Sequence, residues 1–391
     1  MQHERSGTGR AILSAAIGRI RRSARTGRLD LRSYAWGVRR TEPLPTLDEL
    51  RSVAAEHGID HLGVAAADVL HRARHALHTR QQAGLAADMA FTYRNPDRST
   101  DPTRTVVGAR SVVVGARSYL VDDEPARPAG PQARVARYAW VDHYAVLRTG
   151  LRAVAARLHV SSERAVVVAD DNAMVDREIA HRAGLGWFGK NANLLLPGAG
   201  SWFVLGSVIT TAELPPAPGP VADGCGSCRR CLDACPTGAI VAPGVIDANR
   251  CLAWVLQRPG VIDPDLRAAV GDRIYGCDDC QDACPPTVRL GRRHILPAPD
   301  DVQAWVDVLD LLSADDATLL DRHGRWYLAG RDPRWLRRNA LVVLGNIADA
   351  TDGRVVEVLA SYRASDDPIL AEHAHWASAR LGLDVGDDAQ P

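Results

Sequence analysis

The chain has 391 residues, 46% of them hydrophobic, with 47 basic and 47 acidic side chains and a formal charge of zero. That length supports two or three domains with their own cores. The balanced charge excludes a global field drawing the whole molecule to nucleic acid or membrane. No stretch reaches 18 uncharged apolar residues, so no membrane span is expected. With no secretory signal pattern either, the protein reads as cytoplasmic.

Residues 1–44 read as a basic, poorly ordered extension: residues 1–42 hold 10 Arg against Glu4, Asp30 and Glu42. Their apolar patch, residues 11–17, is far too short to cross a bilayer. The competing reading is an arm that touches nucleic acid. Lys190 is the only lysine in the chain.

An α/β domain is expected over residues 45–215. Thr46-Leu-Asp-Glu49 has the form of a capping box before an apolar run, so a helix opens there. A strand is predicted at 61–65 and a helix over 69–82. Residues 110–119 are rich in Val with a small-residue tail and read as a buried strand. A helix over 144–158, a strand at 164–169, a helix over 174–183 and a strand at 202–211 follow.

A Pro-rich joint at 214–220 introduces a loop-rich segment, 216–292, that contains every cysteine. A domain with so little apolar periodicity needs staples, here inorganic ones. Beyond a second joint at 297–300, residues 293–391 read as short antiparallel helices of the kind found in helical repeats.

The cysteines carry the strongest signal. Cys225, Cys228, Cys231 and Cys235 precede Pro236 in the C-x2-C-x2-C-x3-C-P run of bacterial ferredoxins. Cys251 stands alone, and Cys277, Cys280 and Cys284 precede Pro285. Three thiolates spaced by three residues can wrap one cubane, while the cysteine before proline starts a turn that points away. The first [4Fe–4S] cluster is therefore assigned to Cys225, Cys228, Cys231 and Cys284. The second takes Cys235, Cys251, Cys277 and Cys280. A disulfide framework, which needs an oxidising compartment, and two structural zinc sites are the alternatives.

Two further motifs suggest a ligand site. Gly184-Leu-Gly186-Trp187-Phe-Gly189-Lys190-Asn191 packs three glycines that permit close backbone approach and ends on a compact cation. The alternative is a tight turn with a surface lysine. Asp170 follows the predicted strand at 164–169, where a partly buried carboxyl with a raised pKa would deliver a proton. It can equally be a plain N-cap, a role open to Asp171 and Asn172 as well.

Taken together, the cysteine pattern, the Gly-Trp-Phe-Gly-Lys motif, Tyr275-Gly-Cys-Asp-Asp-Cys280 and Trp335-Leu-Arg-Arg-Asn-Ala340 resemble the epoxyqueuosine reductase family. Arg137-Tyr138-Ala139 and Arg94-Asn-Pro96 fit as well, and the resemblance covers about residues 45–383. It implies a cobalamin-binding α/β domain, a ferredoxin-like two-cluster domain and a C-terminal HEAT-like helical domain. It implies reduction of the epoxide of epoxyqueuosine to queuosine in tRNA. Electrons would pass from an external low-potential donor such as ferredoxin or flavodoxin, through the clusters, to the cobalt. By the same resemblance Asp170 is the proton donor. Gly186, Trp187, Gly189, Lys190, Asn191, Tyr138 and His143 contact the cofactor, and the protein is a monomer that binds the anticodon region of tRNA. Arg334, Arg337 and Arg338, with Arg289, Arg292 and Arg293, are the candidate basic face.

The sequence departs from the family at Asp170-Asp-Asn-Ala173, Val141-Asp-His143-Tyr-Ala145, Cys251-Leu-Ala-Trp-Val-Leu-Gln-Arg258 and Cys284-Pro-Pro286. Two other functions therefore stand beside the first. One is a corrinoid iron–sulfur reductase of another small molecule, and the other is a two-cluster electron carrier without corrinoid.

Overall fold

A computed structural model describes residues 43–121, 125–161, 163–290 and 301–383. The extension predicted at 1–44 lies almost wholly outside the described residues, as do Arg292, Arg293 and the joint at 297–300. Among the described residues no helix is long and apolar enough to cross a membrane.

The capping box at Thr46 forms: its hydroxyl accepts from the Glu49 amide at 3.2 Å, and the Glu49 carboxylate accepts from the Thr46 amide at 2.7 Å. Helix Leu47–Glu56 starts there. All four predicted strands of the first domain are present, as His61–Ala66, Ser111–Ser118, Ala165–Ala169 and Phe203–Thr210. They make one sheet in the order 61–66, 111–118, 203–210, 165–169, and every pairing is antiparallel. The sequence indicated only α/β alternation. The antiparallel pairing shows that the domain is not built from the parallel crossover units that this alternation often signals.

Strand Ser111–Ser118 is central and buried on both faces, so Val112 and Val114 point to one side and Val113 to the other, following the period of two. Helices Leu47–Glu56 and His143–Val160 cover one face through Leu50, Ala54, Leu147, Leu151 and Leu158. Helix Asp176–Arg182 covers the other through Ile179 and Ala180. The result is three layers, helix on sheet on helix, consistent with the expected α/β class.

The remaining chain is less separate than its punctuation suggests. Strand Gln132–Val135 pairs in parallel with Arg273–Tyr275 and antiparallel with Trp305–Asp307. One three-stranded sheet therefore joins segments from all three predicted domains. A single apolar core runs from Val135 and Trp140 through Leu252, Ile274 and Val306 to Leu336, Val343, Leu359 and Ala377. The C-terminal helices Arg334–Ile347, Gly353–Arg363 and Pro368–Arg380 pack on one another within it.

Arg338 and Asn339 explain the Trp-Leu-Arg-Arg-Asn-Ala motif. Both are fully buried. Arg338 donates to the carbonyls of Arg258 and Gly260 at 2.8 and 2.7 Å, and Asn339 donates to Leu256 and Ile274 at 2.8 and 3.0 Å. The pair pins the loop that follows Cys251. Arg338 therefore has no place on a basic face. Its neighbours are engaged too: Arg337 bonds Asp316 and the Ala314 carbonyl, and Arg334 pairs with Asp332 and Asp367. Of the candidate basic face on this helix, Arg338 is buried, and Arg334 and Arg337 are held in ion pairs.

Candidate redox and ligand site

The eight cysteines fall into two neighbourhoods. The Cys231 thiol is pushed up by burial and by Cys284, Cys225 and Cys228. Cys284 packs on Trp187 and Leu195, with Cys225 against the same group. Cys280 is pushed up by burial and by Cys251, Asp278, Cys231 and Cys235, and Cys251 by burial and Cys235. Cys277 is raised by burial and by Asp279, whose carboxylate accepts from its thiol at 2.9 Å. Cys284 thus joins the first run across more than 50 positions of sequence, and Cys251 joins the second set. The appearance of Cys231 beside Cys280 marks where the two neighbourhoods adjoin.

Thiols gathered in two sets, Cys231 and Cys284 buried and most of the rest partly so, suit cationic iron, which takes them as thiolates. Among the described residues no three His, Cys, Asp or Glu groups converge tightly enough for a single ion. Thiols disposed around the faces of a cubane stand farther apart than four thiolates around one zinc, where each bond is about 2.3 Å. Amide donors already face two of the sulfurs: Ala239 N–H reaches Cys235 Sγ at 3.2 Å, and Asn193 Nδ2 lies 3.9 Å from Cys280 Sγ.

The glycine-rich motif turns out to serve this cysteine region. Trp187–Phe188 and Leu194–Leu195 form a two-stranded hairpin. A Cβ on Gly186 would lie 2.2 Å from the Leu195 carbonyl oxygen, and one on Gly189 2.4 Å from Leu195 Cδ1. These glycines allow the hairpin to close; neither lines the ligand cleft described below. Lys190 Nζ donates to the carbonyls of Gly226 and Cys228 at 2.7 and 2.8 Å. Asn191 Nδ2 donates to the Cys280 carbonyl at 3.2 Å and does line the cleft. Gly186, Trp187, Gly189 and Lys190, expected at the cofactor, thus make close approaches to protein and lie outside the lining of the cleft.

A cleft of about 1220 Å³ opens beside the second cysteine set. Cys235, Cys251, Cys277 and Cys280 line it, as do Tyr138, Tyr275 and Gln257. Asp170, Asp176, Tyr144 and Arg148 line it too. Its volume exceeds the usual range for a drug-sized ligand, about 300–1,000 Å³, so it has room for a large cofactor together with part of a substrate. Gln257 donates to the Tyr138 hydroxyl at 3.1 Å, and the Tyr327 amide to the Tyr275 hydroxyl at 2.8 Å.

Asp170 sits just past strand Ala165–Ala169 with φ +54°, the left-handed region that aspartate tolerates better than most residues. The turn bond is taken by Asp171, which accepts from the Ala173 amide at 2.8 Å, and the N-cap of helix Asp176–Arg182 is Val175. Asp170 is thus no cap. Its carboxyl stays open to the cleft, yet the surrounding protein desolvates it and raises its pKa, with Arg148 opposing and Asp142 and Asp171 adding.

Asp176 is the residue that sequence reading missed. Burial pushes its carboxyl up to about 8, Arg177 opposing and Asp170 and Asp171 adding. The only available signal was the spacing of acids along one strand-to-helix loop.

His143, also expected at the cofactor, lies outside the cleft lining. Asp142 caps helix His143–Val160 by accepting from the Ala145 amide at 2.8 Å. The resulting helix phase sends Tyr144 and Arg148 to the cleft and His143 inward, 2% exposed and 5.9 Å from the Tyr119 ring.

The antiparallel sheet, its cleft and the two thiol sets define a two-cluster iron–sulfur protein with a large ligand site. Residues 224–287 match the model of a 4Fe-4S double cluster binding domain, and residues 99–176 match the one described as Epoxyqueuosine reductase QueG, DUF1730. An epoxyqueuosine reductase of Xanthomonas campestris is 34% identical over 362 residues, covering 88% of this chain and 98% of that protein. The one from Bacillus subtilis is 30% identical over 344 residues, 86% of this chain and 87% of that one. The crystal structure of an epoxyqueuosine reductase with an epoxyqueuosine-modified tRNA stem loop matches with TM-score 0.77 at 28% identity, covering 86% of this chain and 90% of that chain. The chain belongs to the epoxyqueuosine reductase family.

Proposed function

We propose that this protein reduces epoxyqueuosine to queuosine in tRNA, using two [4Fe–4S] clusters and cobalamin. The carrying observation is one cleft whose lining includes four cysteines and the carboxyls of Asp170 and Asp176. Removing an epoxide oxygen as water takes two electrons and two protons. When bound, the corrinoid supplies a strong two-electron reductant at the epoxide carbon.

The chain's own residues do the rest. Cys225, Cys228, Cys231 and Cys284 hold the cluster nearer the exposed Cys228 loop, where an external donor such as ferredoxin or flavodoxin delivers electrons one at a time. Cys235, Cys251, Cys277 and Cys280 hold the cluster at the cleft. Tyr138 and Asn191 bound the cofactor space. Asp170, with its raised pKa, gives its proton to the epoxide oxygen, and Asp176 is a second protonated carboxyl near it. Arg80, Arg148, Arg177, Arg325 and Arg331 line the cleft, and exposed Phe91 and Tyr327 stand at it as stacking surfaces for a splayed anticodon base. The C-terminal helices form a HEAT-like platform, and the protein acts as a cytoplasmic monomer.

The test is an anaerobic titration of the cluster-loaded protein with cob(II)alamin, followed by electron paramagnetic resonance (EPR), and then turnover on tRNA bearing epoxyqueuosine. A stoichiometric change from base-on to base-off signal with queuosine formation is expected. Binding without queuosine would favour a corrinoid reductase of another substrate, and no binding at high micromolar concentration would leave a two-cluster electron carrier.

A further inference from the structure

We propose that the indole N–H of Trp187 donates a hydrogen bond to a sulfur of the cluster held by Cys225, Cys228, Cys231 and Cys284. The bond holds that cluster's reduction potential above the value it would otherwise take. The inference rests on the ligand set proposed above.

Three observations converge. Trp187 is 8% exposed, and its Nε1 is buried with no hydrogen-bond partner. Buried indole N–H groups nearly always find an acceptor, because leaving one unpaired forfeits its hydration for nothing. The ring packs directly on Cys284, with Cys225 against the same group. Its place is also fixed: a Cβ on Gly224 would lie 2.7 Å from Trp187 Cζ2, 3.0 Å from Cε2 and 3.2 Å from Cη2, so the six-membered ring of the indole lies against the backbone one residue before Cys225. Gly224 has no side chain to keep the ring away.

Cysteine and inorganic sulfur at that place is the acceptor the indole lacks among protein atoms. A hydrogen bond to cluster sulfur is stronger when the cluster carries the extra negative charge of its reduced form, so the bond favours reduction. The other neighbourhood is served differently, by the Ala239 amide and the Asn193 side chain on Cys235 and Cys280. Trp187 is thus a positioning and tuning residue that separates the potentials of two otherwise similar clusters.

Trp187→Phe keeps the ring and removes the donor. Potentials of both clusters are read by EPR-monitored titration of the cluster-loaded full chain, the cluster in question being identified by the signal lost in Cys228→Ser. Its reduced-to-oxidised ratio at fixed potential should fall about tenfold, the scale of one hydrogen bond to a charged acceptor. That is a shift of about 59 mV to lower potential for a one-electron couple, with the second cluster unmoved. Equal potentials in both proteins at full iron content overturn the proposal. Should Trp187→Phe fail to load the cluster, pulsed EPR on wild type labelled with 15N at the tryptophan indoles decides. A nitrogen coupling to that cluster supports the bond, and its absence overturns it. Iron and sulfide counts on wild type test the ligand set independently, since fewer than about eight irons per chain would sink that set rather than the bond.

Discussion

The ammonium of Lys190 stands 2.8 Å from the carbonyl oxygen of Cys228 and 2.7 Å from that of Gly226. The only lysine of the chain therefore buttons the first cysteine loop to the hairpin of the α/β domain. A charged donor shared by two carbonyls in a half-exposed place contributes on the order of 1–2 kcal/mol. Lys190→Met should load both clusters when fresh and lose the first one faster in air. Iron counts would fall from about eight toward about four per chain, and equal decay in both proteins would remove this role.

The crossed ligand sets make a sharper prediction. Cys284 lies beside Cys225 and Cys231, so Cys284→Ser should damage the cluster of the first run despite its distance in sequence. EPR should retain the signal that Cys251→Ser abolishes. Loss of that signal instead would reverse the assignment.

Asp170→Asn should leave iron content unchanged and cut turnover about a hundredfold or more, the usual scale for a general acid. Unchanged turnover would take Asp170 out of the chemistry.

Asp176 predicts a pH dependence of opposite sense to that of an ordinary carboxylate. Its carboxyl holds a proton in the fold up to about pH 8, while the unfolded chain releases it near 3.8. The unfolded state therefore binds fewer protons between those values, and stability falls as pH rises through the window. Asp176→Asn should flatten that decline in urea titrations at pH 5 and pH 8. It should also blunt any loss of turnover above pH 8; parallel profiles for both proteins would show the carboxyl is ionised throughout.

His143 works at the acid end. Burial first, then Arg117 and Arg325, push it down to about 4, and neither ring nitrogen has a hydrogen-bond partner. The unfolded chain takes up a proton below about 6.5 that the fold refuses, so stability is lost as pH falls from there to about 4. His143→Leu should lose less stability between pH 7.5 and 4.5 than wild type does. An identical loss would show that the imidazole is already charged in the fold.

The Thr46 capping box and the four strands of the first domain are legible in local pattern, because caps and alternation are written in neighbouring residues. Strand direction is not legible there, since alternating strands and helices fit either sense of pairing. Gly186 and Gly189 of Gly-Leu-Gly-Trp-Phe-Gly signal close approach correctly, and the approaching group is Leu195. His143 and Tyr144 differ by one step of helix phase, which the cap at Asp142 settles only in three dimensions. The arginines at 334, 337 and 338 look alike in sequence, and their partners lie up to 83 positions away.

By itself the sequence determined the chemistry available: eight thiols at cluster spacing, one lysine, and acids gathered after a buried strand. Covalent spacing alone carries that information. Only the tertiary structure decided that the Trp187 ring, its N–H unpartnered, packs on Cys284, and that Asp176 keeps a proton. Those outcomes depend on burial and on charges brought together from distant segments, and neither exists until the chain has folded.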